Sequence, residues 1–222
     1  SIFLNPIIKL IYRKSDSILV SSKGFISSIA KKNIDKSKIK YMPQWSENIF
    51  KYINFKKETF EFLSINNFVI LFAGNIGEAQ DFENIVKSIK ILKYKNNIKW
   101  VFVGNGRKKK WLKNKIKEDK LENVFLLNSM PLSSMPKLYS MADCLFISLK
   151  NDENLNLTIP AKFQTYLSSG MPVIAMIGGQ VKEIIQETKC GKATNPGNFE
   201  ELAKICIEMS LMTKDQINQM KK

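Results

Sequence analysis

Three segments of the chain have the residue types and spacing to hold an anion. Gly74-Asn75-Ile76-Gly77-Glu78-Ala79-Gln80-Asp81 follows the apolar run Phe68–Ala73 and precedes a stretch of helical period. A strand that turns through glycines into a helix start offers backbone N–H groups and the positive end of a helix dipole, and glycine permits close approach. The same pattern also makes a tight strand-to-helix turn with no ligand. Val103-Gly104-Asn105-Gly106-Arg107 repeats the arrangement after the next apolar run, and the planar fork of Arg107 can clamp a phosphate through two hydrogen bonds. The adjoining Lys108, Lys109 and Lys110 read as a solvated helix face. In Thr158-Ile159-Pro160-Ala161-Lys162-Phe163-Gln164-Thr165-Tyr166-Leu167, Thr158 is a candidate cap and Pro160 lies near the first turn. Lys162 in that turn opposes the helix dipole unless an anion is present; with one, the lysine and the dipole suit a diphosphate whose charge grows as it leaves. Asp152 and Glu153, in the loop 150–156, read either as acceptors for sugar hydroxyls or as an acidic surface loop.

Other chemistries are excluded by what the chain lacks. It contains no histidine, which removes Ser-His-Asp hydrolases, Cys-His proteases and histidine metal sites. Acid–base work then falls to carboxylates, lysine or tyrosine. The three cysteines, Cys144, Cys190 and Cys206, have neither metal-site nor disulfide-framework spacing and fit a reducing compartment. No Asp-x-Asp occurs, so the chemistry read here requires no metal and no cofactor. Lys and Arg number 35 against 20 Asp and Glu, a net charge of +15. Such an excess favours anionic partners, though a lysine-rich solvated surface produces it equally. No run reaches the roughly 20 apolar residues of a membrane-spanning helix. The start lacks an initiator Met and a signal-peptide layout, and the end lacks a helix stop, so the chain is expected to be part of a longer protein.

The elements that must position these residues follow from periodicity. FVILFA (68–73), WVFV (100–103), VFLL (124–127), CLFIS (144–148) and VIAM (173–176) are short apolar runs that read as strands buried on both faces. Between them the apolar residues recur with helical period, as at Phe82, Ile85, Val86 and Ile89. Strand and helix alternating in this way predict an α/β fold, a Rossmann-like parallel sheet with helices on both faces. An earlier unit holds a helix at 6–13, strand 17–21, helix 25–31 and strand 39–42, and residues 200–222 read as a final helix. Residues 1–44 are thus the tail of one domain, 45–64 a linker, and 65–222 a second domain.

In order, AGNIGEAQDFENIVKSI, FVGNGRKKKWL, NVFLLNSMPLSSMPKLYSMADCLFISL, IPAKFQTYLSSGMPVIA and GGQVKEIIQETKCGKATNPGN resemble the donor-binding half of family 4 glycosyltransferases, a group with the GT-B fold. GNIGEAQ and PAKFQTYLSSGMPVIA look like the bacterial subgroup that adds amino-sugars or deoxysugars in surface polysaccharide assembly. The resemblance makes residues 1–44 the close of an amino-terminal acceptor domain and 65–222 the nucleotide-sugar donor domain. It puts Gly74, Asn75 and Gly77, with Glu78, in the loop under the donor phosphates, and Gln80 where many relatives carry a phosphate-binding lysine. Asn105, Gly106 and Arg107 fall near the nucleotide, and Ser129 and Met130, in the loop 128–131, meet the base largely through main chain. Lys162, after Pro160, faces the diphosphate, and Arg107 and Lys162 carry the catalytic role. The family's usual pair of glutamates is absent, its positions holding Leu157 and Thr165; Thr165 offers one hydrogen bond where ribose hydroxyls bind.

The resemblance implies a retaining transferase that takes a sugar from a UDP-sugar to a saccharide or lipid-linked acceptor, in the cytoplasm or peripherally at the cytoplasmic face of the inner membrane. Contact with an anionic membrane is compatible with the charge, and no nucleic-acid partner is expected. With its acceptor domain absent, this chain alone is expected to be inactive. Two alternatives stay open: a UDP-sugar 2-epimerase of the same fold, and a non-catalytic basic module that binds nucleotide, nucleic acid or membrane.

Overall fold

Alternation in the first strand shows how a small unit forms. The computed structural model describes residues 4–51 and 60–221. After α1 (Leu4–Lys14), β1 (Ile18–Val20) turns Ile18 and Val20 inward and leaves Leu19 at 60% exposure. It runs parallel to β2 (Ile39–Tyr41), with Ile18 opposite Ile39, and α2 (Gly24–Ala30) contributes Ile29 to the shared core. Helix α1 buries none of its residues: Leu4, Ile7, Leu10 and Ile11 form an exposed apolar stripe.

The larger unit is built on β3 (Phe68–Ala73), where every residue is buried. Period-2 alternation divides its side chains between two cores. Phe68, Ile70 and Phe72 face α3 (Phe82–Ile91) and pack with Trp100 and Phe102 of β4 (Ile98–Val103). Val69, Leu71 and Ala73 join the opposite core, which is closed by Phe163 and Tyr166. Each large apolar side chain buried this way contributes about 1.5–3 kcal/mol.

From β4 the chain continues through α4 (Lys109–Glu118), β5 (Val124–Leu127), α5 (Met135–Ser140), β6 (Cys144–Ser148) and α6 (Glu153–Asn156). It then forms α7 (Ala161–Ser168), β7 (Val173–Met176), α8 (Gly179–Thr188), β8 (Gly191–Thr194), α9 (Phe199–Ser210) and α10 (Lys214–Gln219). The six strands are parallel in the order β5-β4-β3-β6-β7-β8. This is the Rossmann-like α/β fold expected. The order reverses between β3 and β6, and ligands of open α/β sheets bind beyond the strand carboxyl ends at such a point.

Several local readings are corrected. The single final helix expected is instead two, α9 and α10, because Thr213 caps α10 by accepting from the Gln216 N–H while Gln216 accepts from the Thr213 N–H. Thr158 does not cap α7: its hydroxyl donates to the Asn154 carbonyl at 2.9 Å, and Pro160 holds the cap position. Within 45–64, residues 52–59 lie outside the described residues. Phe50 and Phe60 on either side are buried, Phe50 stacking on Tyr139.

Candidate functional site

The two glycine loops meet backbone to backbone at the carboxyl ends of β3 and β4. The Gly74 N–H donates to the Val103 carbonyl at 2.9 Å, Ile76 N–H to Asn105 at 2.8 Å and Lys108 N–H to Ile76 at 3.0 Å. Gly104, at φ +152°, sits where a Cβ would lie 1.9 Å from the Gly74 oxygen, so only glycine fits. Gly106 is as crowded, its Cβ position 2.2 Å from the Ile76 oxygen.

Around this contact the side chains divide into those that hold the loops and those that face outward. Gln80 Oε1 accepts from the Gly77 N–H at 3.1 Å, so that donor is used within the loop. The Asn75 amide lies over Gly77, its Nδ2 2.6 Å from the Cβ position there. Glu78 pairs with Lys108 at 3.3 Å and Lys150 at 3.5 Å. Lys108 also pairs with Glu83 at 2.5 Å, which holds the Glu83 carboxyl below its usual value against the opposing effect of burial. Asn105 Nδ2 donates to the Ser129 hydroxyl at 2.9 Å, joining the loop after β4 to the one after β5.

Lys109 strengthens that junction. Its Nζ reaches the Gly104 carbonyl (2.8 Å), Asn105 Oδ1 (2.7 Å), the Leu127 carbonyl (3.2 Å) and Asn128 Oδ1 (2.9 Å). The reading of 108–110 as one solvated face is therefore corrected: Lys108 is ion-paired, Lys109 is a clamp, and only Lys110 of the three is exposed without such partners among the described residues. Helical spacing cannot distinguish these, because carbonyl acceptors on other strands leave no trace in the run of lysines. Arg107 is exposed on the loop.

Lys162 has the least ordinary environment. It lies in the first turn of α7, and its Nζ is buried without a hydrogen-bond partner among the described residues. The ammonium stands 4.0 Å from the centroid of the Phe72 ring and 3.0 Å from the Cβ position of Gly74. Glycine at 74 thus leaves room for the lysine to cross the carboxyl end of β3. Burial pushes its pKa from 10.5 down to about 8. A cleft of about 330 Å³ opens here, lined by Gly74, Met130, Leu132, Met135, Tyr139, Ala161, Lys162 and Thr165. Thr165 is buried and donates its hydroxyl to the Lys162 carbonyl at 2.9 Å, leaving the oxygen as an acceptor. Burial, with the Glu47 charge adding to it, pushes the Tyr139 hydroxyl up to about 12.

The structure thus gathers Gly74, Met130, Lys162 and Thr165 in one cleft, with Asn105, Gly106 and Ser129 on the adjoining loops. Glu78 and Gln80 are engaged inside the loop after β3. Asp152 caps α6 by accepting from the Asn154 and Leu155 N–H groups, and Glu153 is exposed in that helix's first turn. Among the described residues no group of three or more Cys, Asp or Glu is placed to hold a metal. Sequence reasoning missed Trp45 and Glu47, which also line the cleft. The signal was a tryptophan followed two residues later by a carboxylate in a segment read as linker.

A family model described as glycosyl transferases group 1 matches residues 55–222. The chain is 23% identical over 215 residues to a probable glycosyltransferase WbjE of Pseudomonas aeruginosa, covering 93% of this chain and 52% of that protein. It therefore spans about half the length of that curated relative. Among solved structures it is similar to a glycosyltransferase from Rickettsia africae, with a TM-score of 0.80 and 17% identity over 99% of this chain and 60% of that one. It is also similar to Anabaena Alr3699/HepE in complex with UDP and glucose, with a TM-score of 0.78 and 15% identity over 100% of this chain and 61% of that one. At these identities the structural likeness speaks to the fold. The family match over most of the chain, on a sheet whose order reverses beside the cleft, makes this chain a member of the group 1 glycosyl transferases.

Proposed function

We propose that the cleft binds the diphosphate of a UDP-sugar and that the whole protein transfers the sugar, with retention, to a saccharide or lipid-linked acceptor in cell-surface polysaccharide synthesis. The observation that carries this reading is Lys162: a buried ammonium with no hydrogen-bond partner among the described residues, lining a cleft and beside a glycine that leaves it room. Desolvating a cation without a counter-charge is costly, and an incoming diphosphate supplies the missing anion. As the bond between the anomeric carbon and the diphosphate oxygen breaks, the electron pair passes to that oxygen, the anomeric carbon bonds to an acceptor hydroxyl oxygen on the same face, and the hydroxyl's proton passes to the departing diphosphate. The growing charge is met by Lys162 and, from the loop after β4, by Arg107. Such fixed cations allow the reaction to run without a metal. The Anabaena neighbour in complex with UDP and glucose lends support to the choice of donor.

On this reading residues 1–44 close an acceptor domain that the relatives' greater length accommodates. A two-stranded parallel sheet is too small to be stable by itself, and the exposed stripe on α1 is a surface for that domain to cover. The protein works at the cytoplasmic face of the membrane, where the +15 charge favours contact with anionic lipid. Calorimetric titration of the chain with UDP, GDP, ADP and dTDP, with and without magnesium, tests the reading. UDP is expected to bind preferentially without metal and to lose binding in Lys162→Ala; failure of every nucleotide to bind refutes it.

A further inference from the structure

Trp45 and Glu47 precede the main sheet yet line the same cleft as Lys162. Trp45 is 76% exposed, the largest apolar side chain left so open at the cleft. Glu47 begins the 3-10 turn Asn48–Phe50, but its carboxylate does not cap it. Among the described residues that carboxylate has no ion pair or side-chain hydrogen bond, in a chain with 35 lysines and arginines. Glu47 is exposed and lines the cleft together with Tyr139, whose hydroxyl feels its charge.

The two charged side chains that line the cleft therefore differ in character. Lys162 offers a cation and no acceptor; Glu47 offers an acceptor that repels phosphate. A carboxylate accepts two hydrogen bonds side by side, the geometry of a vicinal diol, and such charge-assisted bonds are among the stronger ones. An exposed indole gives a flat apolar surface for the carbon face of the ring that carries the diol. We propose that Trp45 and Glu47 form the hydroxyl-recognising wall of the cleft, Glu47 accepting hydrogen bonds from a vicinal diol of the donor while Trp45 covers the adjoining ring face. The diol belongs either to the ribose or to the transferred sugar. This assignment rests on the cleft being a nucleotide-sugar site.

The test is calorimetric titration of the chain and of Glu47→Ala, Glu47→Gln and Trp45→Ala with UDP, 2′-deoxy-UDP and UDP-glucose, with circular dichroism melts to establish that each variant folds. The unsubstituted chain is expected to prefer UDP over 2′-deoxy-UDP by about tenfold, the worth of a hydrogen bond to a charged group. Glu47→Ala is expected to erase that preference, Glu47→Gln to keep part of it, and Trp45→Ala to weaken all three ligands. If the ribose preference survives in Glu47→Ala but any gain of UDP-glucose over UDP is lost, the diol is that of the sugar. If both ratios are unchanged in Glu47→Ala while UDP still binds, the assignment is overturned and the donor-site reading stands. Absence of UDP binding to the unsubstituted chain overturns both.

Discussion

Replacing Lys162 by methionine is expected to stabilise the ligand-free protein while abolishing diphosphate binding. Methionine keeps most of the apolar stem and removes the ammonium. Each tenfold change in a proton-binding constant is about 1.4 kcal/mol. A lysine whose pKa falls from 10.5 to about 8 on folding then weakens the folded state, at neutral pH, by about 3 kcal/mol. The Phe72 ring beneath Nζ returns about 0.5–2 kcal/mol of that as a cation–π contact. The net gain for Lys162→Met at pH 7 is therefore about 1–3 kcal/mol. Between about pH 8 and 10.5 the unfolded chain binds more protons at this residue than the folded one, so the contribution of Lys162 to stability rises with pH. At about pH 9.5 the advantage of the variant shrinks by roughly 2 kcal/mol. Urea unfolding of both proteins at pH 7 and 9.5, followed by fluorescence, measures the difference. A variant less stable than the unsubstituted chain at pH 7, with a difference indifferent to pH, would refute the argument that the ammonium is buried without a counter-charge.

Lys109→Ala is expected to lower stability by about 1–3 kcal/mol in urea unfolding, because it removes a charged donor shared by the loops after β4 and β5, whereas Lys110→Ala stays within about 0.5 kcal/mol. Equal effects of the two substitutions would restore the picture of a uniform solvated face. Gly104→Ala is expected to cost more than about 3 kcal/mol, or to prevent folding, since its Cβ would fall 1.9 Å from the Gly74 oxygen at a φ of +152°. A melt within about two degrees of the unsubstituted chain would show that the two loops can part cheaply.

The strands were legible as unbroken apolar runs: FVILFA, CLFIS and VIAM coincide with β3, β6 and β7, each buried along its whole length, and VFLL coincides with edge strand β5, of which only Val124 is buried. Strand β8 was not, because Gly191-Lys192-Ala193-Thr194 lies at the sheet edge and carries little apolar content to mark it. The glycine loops and Lys162 were legible as types at strand ends and helix starts. What each polar side chain does there was not. Gln80 is committed to Gly77 within its own loop, while Glu78 reaches Lys108, 30 positions away, and Lys109 reaches Asn128, 19 away, through contacts that only the packed sheet creates. Trp45 and Glu47 escaped notice for the same reason, since only the tertiary fold brings the segment before the main sheet over a cleft formed by α5 and α7.

The joined loops after β3, β4 and β5 give the cleft one fixed jaw. Carbonyls and amides interlock from Gly74 to Lys108, and Lys109 and Asn105 extend the lock to Leu127 and Ser129. Little of that side is free to move, so it loses little conformational entropy when a ligand settles against it. The freedom to admit a ligand, and the entropy lost on closing around it, fall to the opposite jaw, where Trp45 stands exposed. On the proposed reading, a donor that binds here orders one exposed wall against a rigid one.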